Sequence, residues 1–231
     1  MKKKAALLLA LSVLAAGALA AQVSVGAGGY AGGDFRGGIE MSASTSGISI
    51  NDGLLKTPYF GGGGYLFLDV RYAELSFGFF GGGGTWSASG SFYGGLTSEI
   101  EILRTSLSLE ALGKYPFSIG ESLSVFPLLG IEYLISTKIK EKATNKERPN
   151  PGDYNALWFK LGGGLDFALS RQLYLRFEAL YGLRPPNKAE TDMLKVFSEL
   201  LESYKLPAFE GKTKIRVGHG LTVKMALGYA F

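Results

Sequence analysis

From Leu221 to Phe231 every second residue is large and apolar (Leu221, Val223, Met225, Leu227, Tyr229, Phe231), and between them stand Thr222, Lys224, Ala226, Gly228 and Ala230. A period of two puts these sets on opposite sides of an extended chain, so the stretch predicts a strand with one apolar face. The alternation recurs upstream. Tyr72–Gly84 aligns Ala73, Leu75, Phe77 and Phe79; Ile100–Tyr115 aligns Leu103, Thr105, Leu107, Leu109, Ala111 and Tyr115. Leu123–Thr137, Leu157–Leu169 and Leu173–Leu183 repeat it, and the glycine-rich Val23–Gly33 and Tyr59–Leu68 bring the count to eight. Tight turns at 69–71, 116–121 and 170–172 alternate with long connections over 34–56, 85–99, 138–155 and 184–218, of which Gly38–Ile50 can itself extend the neighbouring strands as a hairpin.

The opposite faces of these segments carry Glu74, Glu110, Glu132, Lys160, Asp166, Arg176, Glu178 and Lys224. A soluble barrel hides its apolar face and shows its polar one, which would leave a core of Phe, Tyr and Leu. In a membrane the arrangement inverts, because a basic residue facing lipid at the midplane costs about 2–4 kcal/mol. The charges then point inward and pair. In lipid every backbone N–H and C=O needs an internal partner, so only helices and closed barrels span. The chain is expected to be all-β: an eight-stranded antiparallel up-and-down transmembrane β-barrel with a polar, mostly filled lumen.

Composition adds a few limits. Lys2, Lys3 and Lys4 precede an apolar run, Ala5–Leu19, and small residues follow, so residues 1–21 read as a signal peptide and 22–231 as the barrel. Without the leader, 21 basic residues face 20 acidic ones, so the pI near 9.1 is no sign of nucleic acid. The chain has no cysteine, so no disulfide or lipid-modified cysteine enters the fold. The uncharged stretch Leu75–Ser98 contains Gly81–Gly84 and scattered serines, which argue against a membrane helix.

The last strand, closing on Phe231 with Tyr229 two residues before it, resembles the final strand of bacterial outer-membrane barrels; the chain from residue 22 onward is similar to the OmpA/OmpX-type, OmpW-like eight-stranded barrels. That resemblance implies that Tyr229 and Phe231 belong to the insertion signal, although the family prefers Gly where this chain has Ala226. It implies an integral outer-membrane protein with both termini and the short turns periplasmic and four external loops. The expected partners are outer-membrane lipid, the secretion and barrel-insertion machinery and a host or matrix ligand at the loops, with no nucleic acid. It also implies that Glu110, Glu132, Arg176, Glu178 and Lys224, at middle depths, form a lumen charge network that plugs the barrel, or gates it if the pairs exchange.

Other motifs have plainer readings. Gly26-x-Gly28-x-x-Ala31 imitates a dinucleotide fingerprint, but Gly32, Gly33, Gly37 and Gly38 preclude the helix it needs. Gly211-Lys212-Thr213 lacks the earlier glycine of a phosphate loop, since position 206 is Leu206. The runs Gly61–Gly64 and Gly81–Gly84 read as strand positions of high curvature or beside aromatic neighbours. As the only histidine, His219 excludes metal clusters and paired-histidine chemistry, and no cofactor or metal site is expected. A lipid-modifying hydrolase would need a serine two residues beyond His219 on the same face, and Gly220-Leu221-Thr222 does not supply it. In the last connection Asn187 and Glu190 form a capping box, followed by Met193, Phe197, Leu200, Leu201 and Tyr204 at helical spacing, which predicts one amphipathic helix in the last external loop. Three functions stay open: a structural or surface-display barrel with a plugged lumen, a narrow gated channel for small solutes, and a lipid-modifying outer-membrane enzyme. The first is expected, and with it no enzymatic activity.

Overall fold

The computed structural model describes residues 23–34, 38–45, 48–56, 59–90, 96–192, 195 and 210–231, with side chains for 23–34, 59–85, 100–192, 195 and 217–231. The leader assigned to residues 1–21 and the helix face Met193, Phe197, Leu200, Leu201 and Tyr204 lie outside these. Twelve strands follow in chain order: β1 Val23–Asp34, β2 Gly38–Thr45, β3 Ile48–Lys56, β4 Tyr59–Val70, β5 Ala73–Gly90, β6 Leu96–Lys114, β7 Phe117–Ile119, β8 Leu123–Glu141, β9 Ala156–Ala168, β10 Leu173–Arg184, β11 Glu210–Arg216 and β12 Gly218–Ala230.

Eight of these close on themselves. The ring runs β1, β4, β5, β6, β8, β9, β10, β12 and back to β1, every pairing antiparallel. Closure leaves no open edge around the barrel, the condition for crossing lipid with strands. Among the described residues no helix is long and apolar enough to cross a membrane. The apolar set of each strand points outward: Leu221, Val223, Met225 and Leu227 are 44–56% exposed, and Leu66, Phe77, Leu129 and Phe159 are equally bare. The other set fills the interior, where Phe67, Leu112, Phe126, Leu128 and Leu180 are buried alongside charges.

Two of the long connections are largely strand: the hairpin expected over Gly38–Ile50 runs from Gly38 to Lys56, and 85–99, read as a loop, extends β5 and β6. β2 and β11 continue the pairing of β1 and β12 in unbroken register, from Asp34↔Gly220 to Gly38↔Arg216. Likewise β3 prolongs β4 against β5, from Tyr59↔Gly84 to Lys56↔Ser87. β5 and β6 remain paired out to Gly90↔Leu96. The apolar alternation stops where a strand leaves the lipid, but the backbone ladder needs no apolar face and carries on. The wall therefore stands tall over β2, β3, β5 and β6, while β9 and β10 begin and end lower. At the opposite, short-turn end, the segment read as the turn 116–121 contains β7, which pairs with the start of β8 around Gly120 (φ 69°). Both ends of the ring lie there too: the Phe231 N–H donates to the Val23 carbonyl at 3.0 Å.

One glycine shows how tightly β4 and β5 approach. A Cβ on Gly63 would stand 1.7 Å from the Phe79 carbonyl oxygen. On the lumen side of this glycine-rich patch Tyr30 stacks on Phe80 at 5.6 Å between ring centroids, and Tyr59 lies 5.6 Å from the same ring.

Candidate functional site: the charged lumen

Because neighbouring strands share a face, inward-pointing residues of different strands meet in layers across the lumen. The deepest layer is built on Arg176 of β10, buried to 1% exposure. Its Nε and Nη2 donate to the two oxygens of Asp166 on β9, each at 2.7 Å. Its Nη1 donates to Glu74 on β5 and Nη2 to Asp69 on β4, and Asp69 also takes Lys114 of β6. The guanidinium lies over the rings of Phe67 (4.7 Å), Tyr174 (5.2 Å) and Phe126 (5.3 Å). One planar cation thus ties four strands together, a task that suits arginine's fork of donors and its affinity for ring faces.

The middle layer holds two lysines. Lys224 of β12 donates to Glu110 of β6 and lies 3.3 Å from Glu178 Oε2 on β10. Lys160 of β9 pairs with Glu132 of β8 at 2.8 Å and donates to Thr222 Oγ1 at 2.8 Å, while Ser108 Oγ donates to the other Glu132 oxygen at 2.6 Å. Of the five residues expected to form a network, Glu110, Glu178 and Lys224 are in one cluster. Arg176 reaches it through Glu178 Oε1 at 4.0 Å, and Glu132 makes its ion pair with Lys160 instead.

The mouth at the long-loop end is closed by a second arginine. Arg184 Nε donates to Asp34 Oδ2 at 2.9 Å, and its two terminal nitrogens each donate to one oxygen of Glu190 at 2.8 Å. Glu190 belongs to a helix that starts at residue 188, and the capping box there is reciprocal: Asn187 N–H donates to Glu190 Oε2 and Glu190 N–H to Asn187 Oδ1, both at 2.9 Å. Arg104 sits beside this clasp, donating to Ser106 Oγ at 3.0 Å and to the Tyr154 carbonyl at 2.8 Å. The turn Pro151–Tyr154 is joined to the helix by Lys188 and Asp153 at 2.7 Å, and that hydrogen bond raises the Lys188 pKa above its ordinary value.

Two spaces flank the ion-paired layers. Toward the mouth a cavity of about 90 Å³ is lined by Tyr30, Tyr59, Phe80, Trp158, Arg104 and Arg184. Toward the short turns a vestibule of about 540 Å³ is lined by Asp69, Lys114, Asp166, Tyr174 and Arg176. Among the described residues one group could hold a metal ion: Glu74, Glu110 and Glu178 each bring a carboxylate oxygen within 4.8 Å of the others.

The remaining candidates lie elsewhere. Tyr229 and Phe231 are on the outer surface, 37% and 76% exposed, with rings edge to face at 5.2 Å. His219 is also outside, and its Nδ1 shares a hydrogen bond with the Tyr181 hydroxyl, not with a serine. Asp34, Asp69, Arg104, Lys114, Arg184 and Glu190 were not singled out as lumen charges from the sequence. The signal is present as parity: Asp69 is in phase with Tyr65 and Phe67, and Lys114 with Glu110 and Leu112.

A closed antiparallel ring of eight strands, bare and apolar outside and ion-paired within, defines a transmembrane β-barrel. The chain belongs to the outer membrane protein beta-barrel domain family, whose model matches residues 6–196, and this places it in the bacterial outer membrane. Among solved structures it is similar to the outer membrane protein OprG from Pseudomonas aeruginosa, with 8% identity over 92% of this chain and 96% of that one and a TM-score of 0.43. It is similar to Neisserial surface protein A at 10% identity (88% and 97% covered, TM-score 0.42) and to the attachment invasion locus protein of Yersinia pestis at 13% (91% and 99%, TM-score 0.38). No curated protein matches the chain.

Proposed function

We propose that this protein is a plugged outer-membrane barrel whose work is done by the wall and loops it holds above the membrane. The observation that carries this reading is Arg176: fully buried, it cross-links β4, β5, β9 and β10 through Asp69, Glu74, Asp166 and its own strand. Opening a path past it would strip a buried cation of its partners, at a cost of about 3–5 kcal/mol. The Arg184 clasp adds a second closure at the mouth. The tall hairpins β2–β3 and β5–β6 supply the display surface, to which a host or matrix ligand would bind. Residues 1–21 act as the leader, both termini of the mature chain are periplasmic, and Tyr229 and Phe231 present the signal to the insertion machinery.

The test is single-channel recording of refolded protein in planar bilayers, with heat-dependent gel mobility confirming the folded barrel. A silent wild-type barrel is the expected result. Exchange of residues 38–56 or 85–99 for an unrelated hairpin should then abolish surface binding while leaving mobility unchanged. The second reading, a gated passage for small solutes, is favoured by the two spaces on either side of the ion-paired layers. Discrete conductance steps in wild type, altered in Arg176→Gln or Glu132→Gln, would establish it and displace the plug.

A further inference from the structure

In the ion-paired layers, between the mouth and the exposed rim where Arg71, Glu121 and Arg171 stand, the lumen holds more negative than positive charge. Asp69, Glu74, Glu110, Glu132, Asp166 and Glu178 face Lys114, Lys160, Arg176 and Lys224, six carboxylates against four cations among the described residues. Lys114 matches Asp69, Lys160 matches Glu132, Lys224 matches Glu110, and Arg176 is gripped by both oxygens of Asp166. Glu74 and Glu178 are left in excess. Both side chains are 0% exposed. They are also the two acidic residues here whose oxygens lack hydrogen-bond donors, Glu74 at Oε1 and Glu178 at both. Burying a carboxylate in that condition is costly, and some further positive charge must meet it.

We infer that Glu74, Glu110 and Glu178 hold a divalent cation of the calcium class inside the barrel. The donor set is all carboxylate oxygen, the preference of a hard cation. A calcium ion takes oxygens at about 2.3–2.6 Å, so two of its ligands can stand up to about 5 Å apart, which matches oxygens lying within 4.8 Å of one another. Magnesium, at about 2.0–2.1 Å, spans about 4.2 Å at most and demands stricter geometry. Two positive charges match the excess of two negative ones. Arg176 bonds Glu74, and Lys224 bonds Glu110 and stands 3.3 Å from Glu178, so the ion would be the third cation of this cluster and would take the oxygens that these two leave without a donor. The three carboxylates come from β5, β6 and β10, so the ion would brace the barrel across its width. A braced lumen is compatible with a silent barrel and with a gated one, so the bilayer recording above and the titration below fail separately.

The experiment is calcium titration of the intact barrel, refolded in EGTA, by isothermal calorimetry, with urea unfolding of samples refolded in EGTA or in calcium. We expect saturable binding of one ion per chain, a urea midpoint that rises with calcium and levels off, and a loss of affinity of about tenfold or more in Glu178→Gln. Glu74→Gln gives the same readout should Glu178→Gln not fold. A wild-type barrel with no binding heat and an unmoved midpoint up to about 10 mM calcium, above the weakest range for such sites, would overturn the inference and assign the excess charge to bound protons. Undiminished affinity in both variants would overturn it as well, by placing the ion on the surface.

Discussion

The two arginine-centred clusters of the lumen sit in opposite electrostatic situations. At the mouth, Arg104 and Arg184 face Asp34 and Glu190, and the charges balance. In the deep layer Arg176 serves Glu74 and Asp166 and shares Asp69 with Lys114, with Glu178 at the edge of its reach. A balanced cluster is self-contained, and loss of one member changes a local hydrogen-bond pattern. An overdrawn cluster depends on its central cation, and loss of that member exposes buried carboxylates to one another. The mouth is therefore a clasp that can be undone, and the deep layer is a keystone.

The sharpest way to break this contrast is Arg176→Ala, which should destabilise the barrel by about 3–5 kcal/mol in urea unfolding; a loss no greater than that of Arg184→Ala would dissolve the distinction. Arg184→Ala itself should cost about 1–3 kcal/mol and free the segment 185–192 to hydrogen exchange while β9 and β10 stay protected. Protection of that segment unchanged would show that the clasp does not hold the helix. A paired replacement, Glu132→Gln with Lys160→Met, takes out both partners of one ion pair. It should leave stability within about 1 kcal/mol of wild type or raise it, whereas Lys160→Met alone should lower it. The smallest effect lies outside the lumen. Lys138, hydrogen-bonded to Glu147 at 2.6 Å, holds the Glu147 carboxyl below its ordinary pKa. With the folded value depressed, its contribution is present above the ordinary carboxylate range and disappears as pH falls through the folded value. NMR titration of Glu147 should show the lowered midpoint, and Lys138→Gln should return it to normal with little change in unfolding.

The barrel was legible because lipid imposes a period of two on every spanning strand: the outward sets ending in Leu227 and Tyr229, or in Phe77 and Phe79, are the same residues the structure leaves bare. Where lipid stops, so does that signal. Asp69, Lys114, Arg184 and Asp34 stand at strand ends, where the alternation gives way to turns and loops; β11 lies beyond it too, whereas the hairpin read over Gly38–Ile50 is there as β2 and β3. Which inward charges meet was harder still. Glu74, Glu110 and Glu178 come from three strands, and their convergence depends on the stagger between neighbours, a quantity that no single segment encodes. A single histidine bears on nitrogen-based metal sites and says nothing about sites made of oxygen alone.

The seam between β1 and β12 gives the molecule a clock. It joins Ser24 to Ala230 and continues beyond the ring as β2 against β11, so a long zipper in the wall links the earliest described strand to the last. The turn from Val70 to Ala73 closes a gap of a few residues; the seam closes one of about two hundred, an extra entropic cost of roughly 3–4 kcal/mol by the logarithmic rule for flexible loops. Every other wall can form between chain neighbours as they arrive. The largest loop-closure cost in the cylinder therefore falls on the meeting of its first and last strands.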